Sequence, residues 1–156
     1  MEKTKTFNTT PVILYLTVDH RELVSNLSLL FDFHWNKDNF EAILSSCYSL
    51  NIGLFVNNEL NGFLLATALH PTASIELIAI HPQAQKQGLG MLLFQHFSEI
   101  LKNRDFKEIE LEVSEINTAH YFYEKMGFTV FNKRRNYYKD GSDALLMTHS
   151  LEDHSR

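Results

Sequence analysis

The chain carries one cysteine, Cys47, in 156 residues. No intrachain disulfide can form, and no cysteine cluster can hold a metal. A reducing compartment is compatible with this. The eight histidines show neither HxH nor HExxH spacing, so no metal site is expected. No apolar run approaches the roughly 20 residues that a membrane-spanning helix needs. The opening MEKTKTFNTTPVILYL lacks the long apolar stretch and the small-residue cleavage site of a secretory signal. A soluble, cytoplasmic protein with no membrane partner is expected. Excess positive charge is missing too: the formal net charge is -5. That argues against general nucleic-acid binding. It suits a basic peptide or a polyamine as partner.

What is present is globular composition, with 44% hydrophobic and 21% charged residues. The length predicts one domain over 1–156, with residues 1–11 and 151–156 loose. VILYLTV (12–18) has strand composition. Thr17 or Asp19 is placed to cap a helix in which Leu23, Leu27 and Leu30 recur at helical spacing. Asp38 is placed to cap a second helix, with Phe40, Ile43, Leu44 and Cys47 on its apolar face. Cys47 is therefore expected to be inert packing. IGLFV and GFLLATAL flank the turn signal NNELNG and predict a hairpin. SIELIAI follows as a third strand. A long helix is expected from Leu89 to Arg104, then the alternating strand KEIELEV. TAHYFYEKM predicts a short helix with Gly127 just past its end. FTVFNKRR and DALLMTHS form a final strand pair. The order β-αα-βββ-α-β-α-ββ defines an α+β domain with a mixed sheet.

Chemistry enters at QKQGLG (85–90), between a strand and a helix. Helix N-termini leave N–H groups unpaired and carry partial positive charge. Glycines there let a phosphate approach the backbone. A tight turn reads equally well from these residues alone. The loop is neither GxxxxGK[ST] nor GxGxxG, since Leu93 stands where a third glycine would be.

Two motifs together resemble the GNAT family of N-acetyltransferases. Gln85, Gly88 and Gly90 match that family's Q/R-x-x-G-x-G/A coenzyme-A loop, and YFYEKMGF (121–128) is similar to its Y-E-K-x-G-F signature. Their separation also fits, and the resemblance runs from about Val12 to the end. Within the family, RRNYYKDGSDALLM (134–147), ELEV and FHWNKDNF (33–40) resemble the ribosomal-protein alanine N-acetyltransferases. The resemblance implies a mostly antiparallel sheet flanked by helices. It implies acetyl-CoA as co-substrate and, as acceptor, a protein or peptide N-terminus, possibly of a ribosomal protein.

It also implies site residues. Gln85, Lys86, Gln87, Gly88, Leu89, Gly90 and Met91 would hold the pyrophosphate. The residues matching Ile78, Ala79 and Ile80 pair through their backbone with the pantetheine arm, like an added strand. A plain core strand is the other reading of those three, and both can hold together. Asn117 resembles an asparagine that helps hold coenzyme A. Glu112 matches the group's catalytic glutamate, although Glu108, Glu110 and Glu112 alternate as in any strand with one solvated face. Tyr123 matches the tyrosine that protonates the leaving thiolate, although aromatics on short helices are usually core. Tyr137 and Tyr138 would flank the peptide's first residues, or else form a solvated strand end and turn. Trp35 reads as a loop anchor. Two positions depart from the pattern. Asn117 lies six residues before Tyr123, one fewer than usual, and Leu77 stands where the group carries Asn.

An α-amine has a pKa of about 7.7–8.0, so roughly a tenth of it is free base at neutral pH, against under about 0.1% for lysine. An N-terminal acceptor therefore needs only a modest base. Lysine side chains and small-molecule amines remain rival acceptors. A non-catalytic acyl-CoA sensor is the rival of another class.

Overall fold

The computed structural model describes residues 9–152. Its elements follow the expected order. They are β1 (Val12–Tyr15), α1 (Arg21–Ser28), α2 (Lys37–Ser45), β2 (Ser49–Val56), β3 (Glu59–Leu69), β4 (Thr72–Ile80), α3 (Leu89–Asn103), β5 (Glu108–Ser114), α4 (Ala119–Lys125), β6 (Thr129–Arg134) and β7 (Ala144–Ser150). The strands form one sheet in the order β1-β2-β3-β4-β5-β7-β6. Among the described residues, only β4 and β5 pair in parallel, and the other pairings are antiparallel. The N-terminal lead-in expected to be loose lies mostly outside the described residues, as do residues 153–156 of the tail. Leu151, expected in that tail, is instead buried, and its N–H donates to the Lys107 carbonyl at 2.9 Å.

Local chemistry sets the boundaries. Asn57 and Asn58 both have positive φ, 51° and 64°, which gives the β2–β3 hairpin its two-residue turn. Thr17 caps the turn that leads into α1, as expected. The buried stripe of α1 differs from the expected one. Val24 and Leu27 are buried, while Leu23 and Leu30 are exposed. The helix stops at Ser28, and its inner face includes the small residues Ser25 and Ser28, which a leucine count overlooks. The cap of α2 is Asn36, not Asp38. Asn36 and Asn39 exchange side-chain-to-backbone hydrogen bonds, both 2.9 Å. Because α2 ends at Ser45, Cys47 falls in the following turn and is exposed, not packed. Gly127, at φ 98°, follows the end of α4 as expected.

The sheet has two covered faces. On one, Leu93, Phe97 and Leu101 of α3 pack on Leu64, Ala66, Ile75 and Ile109. On the other, Val24, Leu27, Phe40 and Leu44 of α1 and α2 pack on Phe63, Leu65 and Ala79. Each such side chain contributes roughly 1.5–3 kcal/mol by burial. The second cluster takes nothing from β5, β6 or β7, so the corresponding face of those strands is left to the site.

Two irregularities in β4 position that site. Ala66 pairs with Ile75 but Leu65 pairs with Leu77, which makes Glu76 a β-bulge. The bulge shifts the alternation. Ile75 and Ile78 both face α3, and Leu77 and Ala79 face α1 and α2. Pairing with β5 also stops early, at Ile75 with Leu111. Among the described residues, no strand pairs with Glu76–Ile80 on the β5 side.

Candidate active site

The end of β4 runs into a loop whose residues are each constrained. The Gln85 amide Nε2 donates to the Ile80 carbonyl at 3.0 Å, tying the loop to the strand. Lys86 and Gly88 both adopt positive φ, 63° and 76°. Gly88 is the N-cap of α3 and supplies no side-chain cap. An added Cβ at Gly88 would meet nothing within 4 Å, so the backbone conformation is what asks for glycine there. Gly90 serves differently. A Cβ on it would sit 2.9 Å from Cζ of Phe122. One glycine turns the chain, and the other lets α3 and α4 approach closely.

Around this loop lies a cavity of about 530 Å³. Ile78, Ala79, Ile80, Gln85, Lys86, Gly88, Leu89, Gly90, Met91 and Tyr123 all line it. Gln87 and Asn117, expected there, do not. Asn117 instead accepts a hydrogen bond from the Ala119 N–H at 2.9 Å, in the turn that leads into α4. Phe31, Ala84, Ala119, Phe122 and Lys125 line the cavity without having been expected. Lys125 lies inside the Y-E-K signature, and Phe31 lies just past the end of α1. The cavity fits a coenzyme with an apolar arm and phosphates. It has a strand edge with unused pairing, the N-terminus of a 15-residue helix, a glycine that leaves the backbone open, and two lysines.

Tyr123 is partly buried in this wall. Its ring contacts Phe122 and Phe128 at centroid distances of 5.7 and 6.0 Å. Burial pushes its pKa from 10.0 up to about 12. Tyr121, one turn-face away, is exposed.

Glu112 lies on the opposite face of the sheet. Ile109, Leu111 and Val113 of β5 point toward α3, so Glu110 and Glu112 point away. A second cavity of about 260 Å³ opens there, lined by Ser74, Glu76, Glu110, Glu112, Phe131 and Arg134 among others. The Arg134 guanidinium approaches Glu112 at 3.8 Å. Tyr138 is close by. Burial first, then the Glu112 charge, raises its pKa above the usual phenol value. Tyr137 stacks edge-on against Tyr138 at 5.2 Å, with Arg134 5.4 Å from its ring centre. The loop carrying both tyrosines is pinned by the Asn136 N–H donating to Asp143 Oδ1 at 2.9 Å and by the Ser114–Ser142 hydroxyl pair at 2.9 Å. Trp35 anchors its own loop against Phe40, 5.2 Å between rings. It also lines a third cavity of about 320 Å³, beside Thr67 and Glu76.

A sheet opened between β4 and β5, with an apolar cavity at a glycine loop and helix N-terminus and a carboxylate-lined cavity beside the opening, is an arrangement suited to acyl transfer. A profile of the acetyltransferase (GNAT) domain matches residues 31–151. The ribosomal-protein-bS18-alanine N-acetyltransferase of Escherichia coli is 34% identical over 119 residues, 74% of this chain and 80% of its own length. The enzyme of that name from Haemophilus influenzae is 38% identical over 89 residues, 57% of this chain and 61% of its own length. The crystal structure of the Escherichia coli enzyme superposes with a TM-score of 0.85 at 28% identity, over 94% of this chain and 97% of that one. An aminoglycoside 6'-N-acetyltransferase solved with coenzyme A shares the fold, at a TM-score of 0.82 and 13% identity, over 93% of this chain and 99% of that one. The chain belongs to the GNAT acetyltransferase family. It is an N-acetyltransferase that uses acetyl-CoA.

Proposed function

We propose that this acetyltransferase acts in the cytoplasm on the N-terminal α-amine of a protein, with an alanine-initiated ribosomal protein as the preferred acceptor. The observation that carries the reading is the placement of Glu112 and Tyr123 on opposite faces of the sheet beside the β4–β5 opening. Support for the acceptor comes from the two bacterial relatives, whose names specify an alanine of ribosomal protein bS18.

The roles follow from the chemistry of direct transfer. Bound acetyl-CoA supplies an activated acyl group as a thioester. Backbone groups of Ile78–Ile80 on the unpaired side of β4 align its arm and polarise the carbonyl. The loop of Gln85–Met91, with Lys86 and Lys125 at the wall, neutralises phosphate charge; Gln85 acts by fixing the loop. Glu112 takes the proton the amine loses, directly or through one water. Tyr123 donates its hydroxyl proton toward the departing sulfur. A phenol at about 12 is a weaker acid than an ordinary thiol near 8.5. The sulfur leaves beside the same partly buried ring cluster, where lost hydration raises its basicity as well and narrows that gap. Tyr137 and Tyr138 line the approach of the acceptor beside Glu112.

The test is thiol release from acetyl-CoA with two peptides. One has a free N-terminal alanine followed by basic residues; the other is N-terminally blocked and carries an internal lysine. Turnover with the first alone is expected. Turnover with the second alone moves the acceptor to lysine. Silence with both, at saturating acetyl-CoA, refutes a peptide acceptor.

A further inference from the structure

Glu76 stands where two cavities meet. It lines the one that holds Glu112 and also the one beside Trp35. Ile75 faces α3, so alternation puts Glu76 on the Glu112 face of the sheet, and the bulge brings Leu77 to that face beside it. Its carboxylate is oriented: the Thr67 hydroxyl donates to Oε1 at 3.1 Å. Phe131, half exposed, lines the first cavity as well and sits at a register irregularity between Val130 and Asn132 of β6. The chain seats one cation of its own in this cavity, the Arg134 guanidinium, and it lies against Glu112 rather than Glu76. A planar cation thus already lines the cavity against one carboxylate, and Glu76, Glu110 and Phe131 line it too.

We propose that Glu76 determines acceptor specificity by receiving the basic side chain of the residue directly after the acceptor's N-terminal one. The proposal rests on the N-terminal reading of this site. An α-amine presented to Glu112 brings the next residue to the same cavity of about 260 Å³, where Glu76 and Glu110 offer carboxylates to a lysine or arginine side chain. Phe131 offers that cation its ring face. A carboxylate at the same acceptor position meets the like charges of Glu76 and Glu110.

Three peptides that differ only at the second residue, Ala-Arg, Ala-Gln and Ala-Glu, are compared by kcat/KM in thiol release. The wild type should rank them in that order, with each step about fivefold, the size of one exposed ion pair. Glu76→Gln should collapse the Arg-over-Gln step. Glu76→Lys should invert the Arg-over-Glu order, which loss of structure alone would not do. Raising the salt should shrink the wild-type preference. An unranked wild type, or an unchanged ranking in both variants, overturns the role of Glu76 and leaves N-terminal acetylation standing. A wild type inactive on all three peptides but active on small amines overturns the N-terminal reading and this proposal together.

Discussion

Replacing Tyr123 with Phe removes one oxygen from the wall of the coenzyme cavity and keeps the ring contacts with Phe122 and Phe128. Stability at neutral pH should hold within about 0.5 kcal/mol. The rate should not: loss of a positioned proton donor costs about 10²–10⁴-fold in kcat. Burial makes the pH dependence diagnostic. Moving the hydroxyl from 10.0 to about 12 makes its ionisation roughly 3 kcal/mol harder than in water. The wild type should then gain activity up to about pH 8 as the α-amine loses its proton, and stay level to pH 10. The sign for stability follows from the same shift. The neutral phenol's contribution is present in full below pH 10 and is lost as the pH climbs to about 12. Stopped-flow thiol release from pH 6 to 10, on wild type and Tyr123→Phe, measures the profile. A falling limb near pH 10 that disappears in the variant would show the hydroxyl ionising as it does in water and refute the burial argument. A loss below threefold would remove Tyr123 as the donor.

Glu112→Gln should slow N-terminal peptide turnover about 10–100-fold at pH 7, with the deficit shrinking at pH 9, where the amine is free base unaided. Calorimetric affinity for acetyl-CoA should be retained, because Glu112 lines the other cavity. Gly88→Ala should stay folded and lose about 1–2 kcal/mol to its left-handed backbone, whereas Gly90→Val should collide with Phe122 and weaken acetyl-CoA binding. Equal effects of the two in a binding titration would contradict their separate roles. Lys125→Ala should weaken acetyl-CoA binding about fivefold at low salt and less at high salt; a salt-independent change would mean that its charge is not what matters.

The order of elements was legible because each announces itself within a short window. Asn57-Asn58 dictates a tight hairpin, β5 alternates strictly, and Gly127 ends α4. Most of the wall of the first cavity was legible as a group of neighbours, since it comes from consecutive residues of β4 and its loop. Where several local answers compete, the sequence alone misled. Leucines at helical spacing outweighed Val24 and the buried serines of α1, and Asn36 won the cap from Asp38 through its exchange with Asn39. Long-range placement was the least legible. The bulge at Glu76 and the early end of the β4–β5 ladder are register events between strands far apart in the chain. Nothing inside SIELIAI signals them, so Glu76, Phe131 and Arg134 escaped notice as neighbours of Glu112.

The half-zipped β4–β5 ladder gives the enzyme two doors. With the roles proposed for the two cavities, coenzyme and acceptor would enter from opposite faces, and neither would have to wait for the other to clear a shared passage. Product inhibition should follow the doors. Free coenzyme A competes with acetyl-CoA and not with the acceptor, and the acetylated peptide shows the converse. Changes on the acceptor side can retarget the enzyme while the coenzyme side stays as it is.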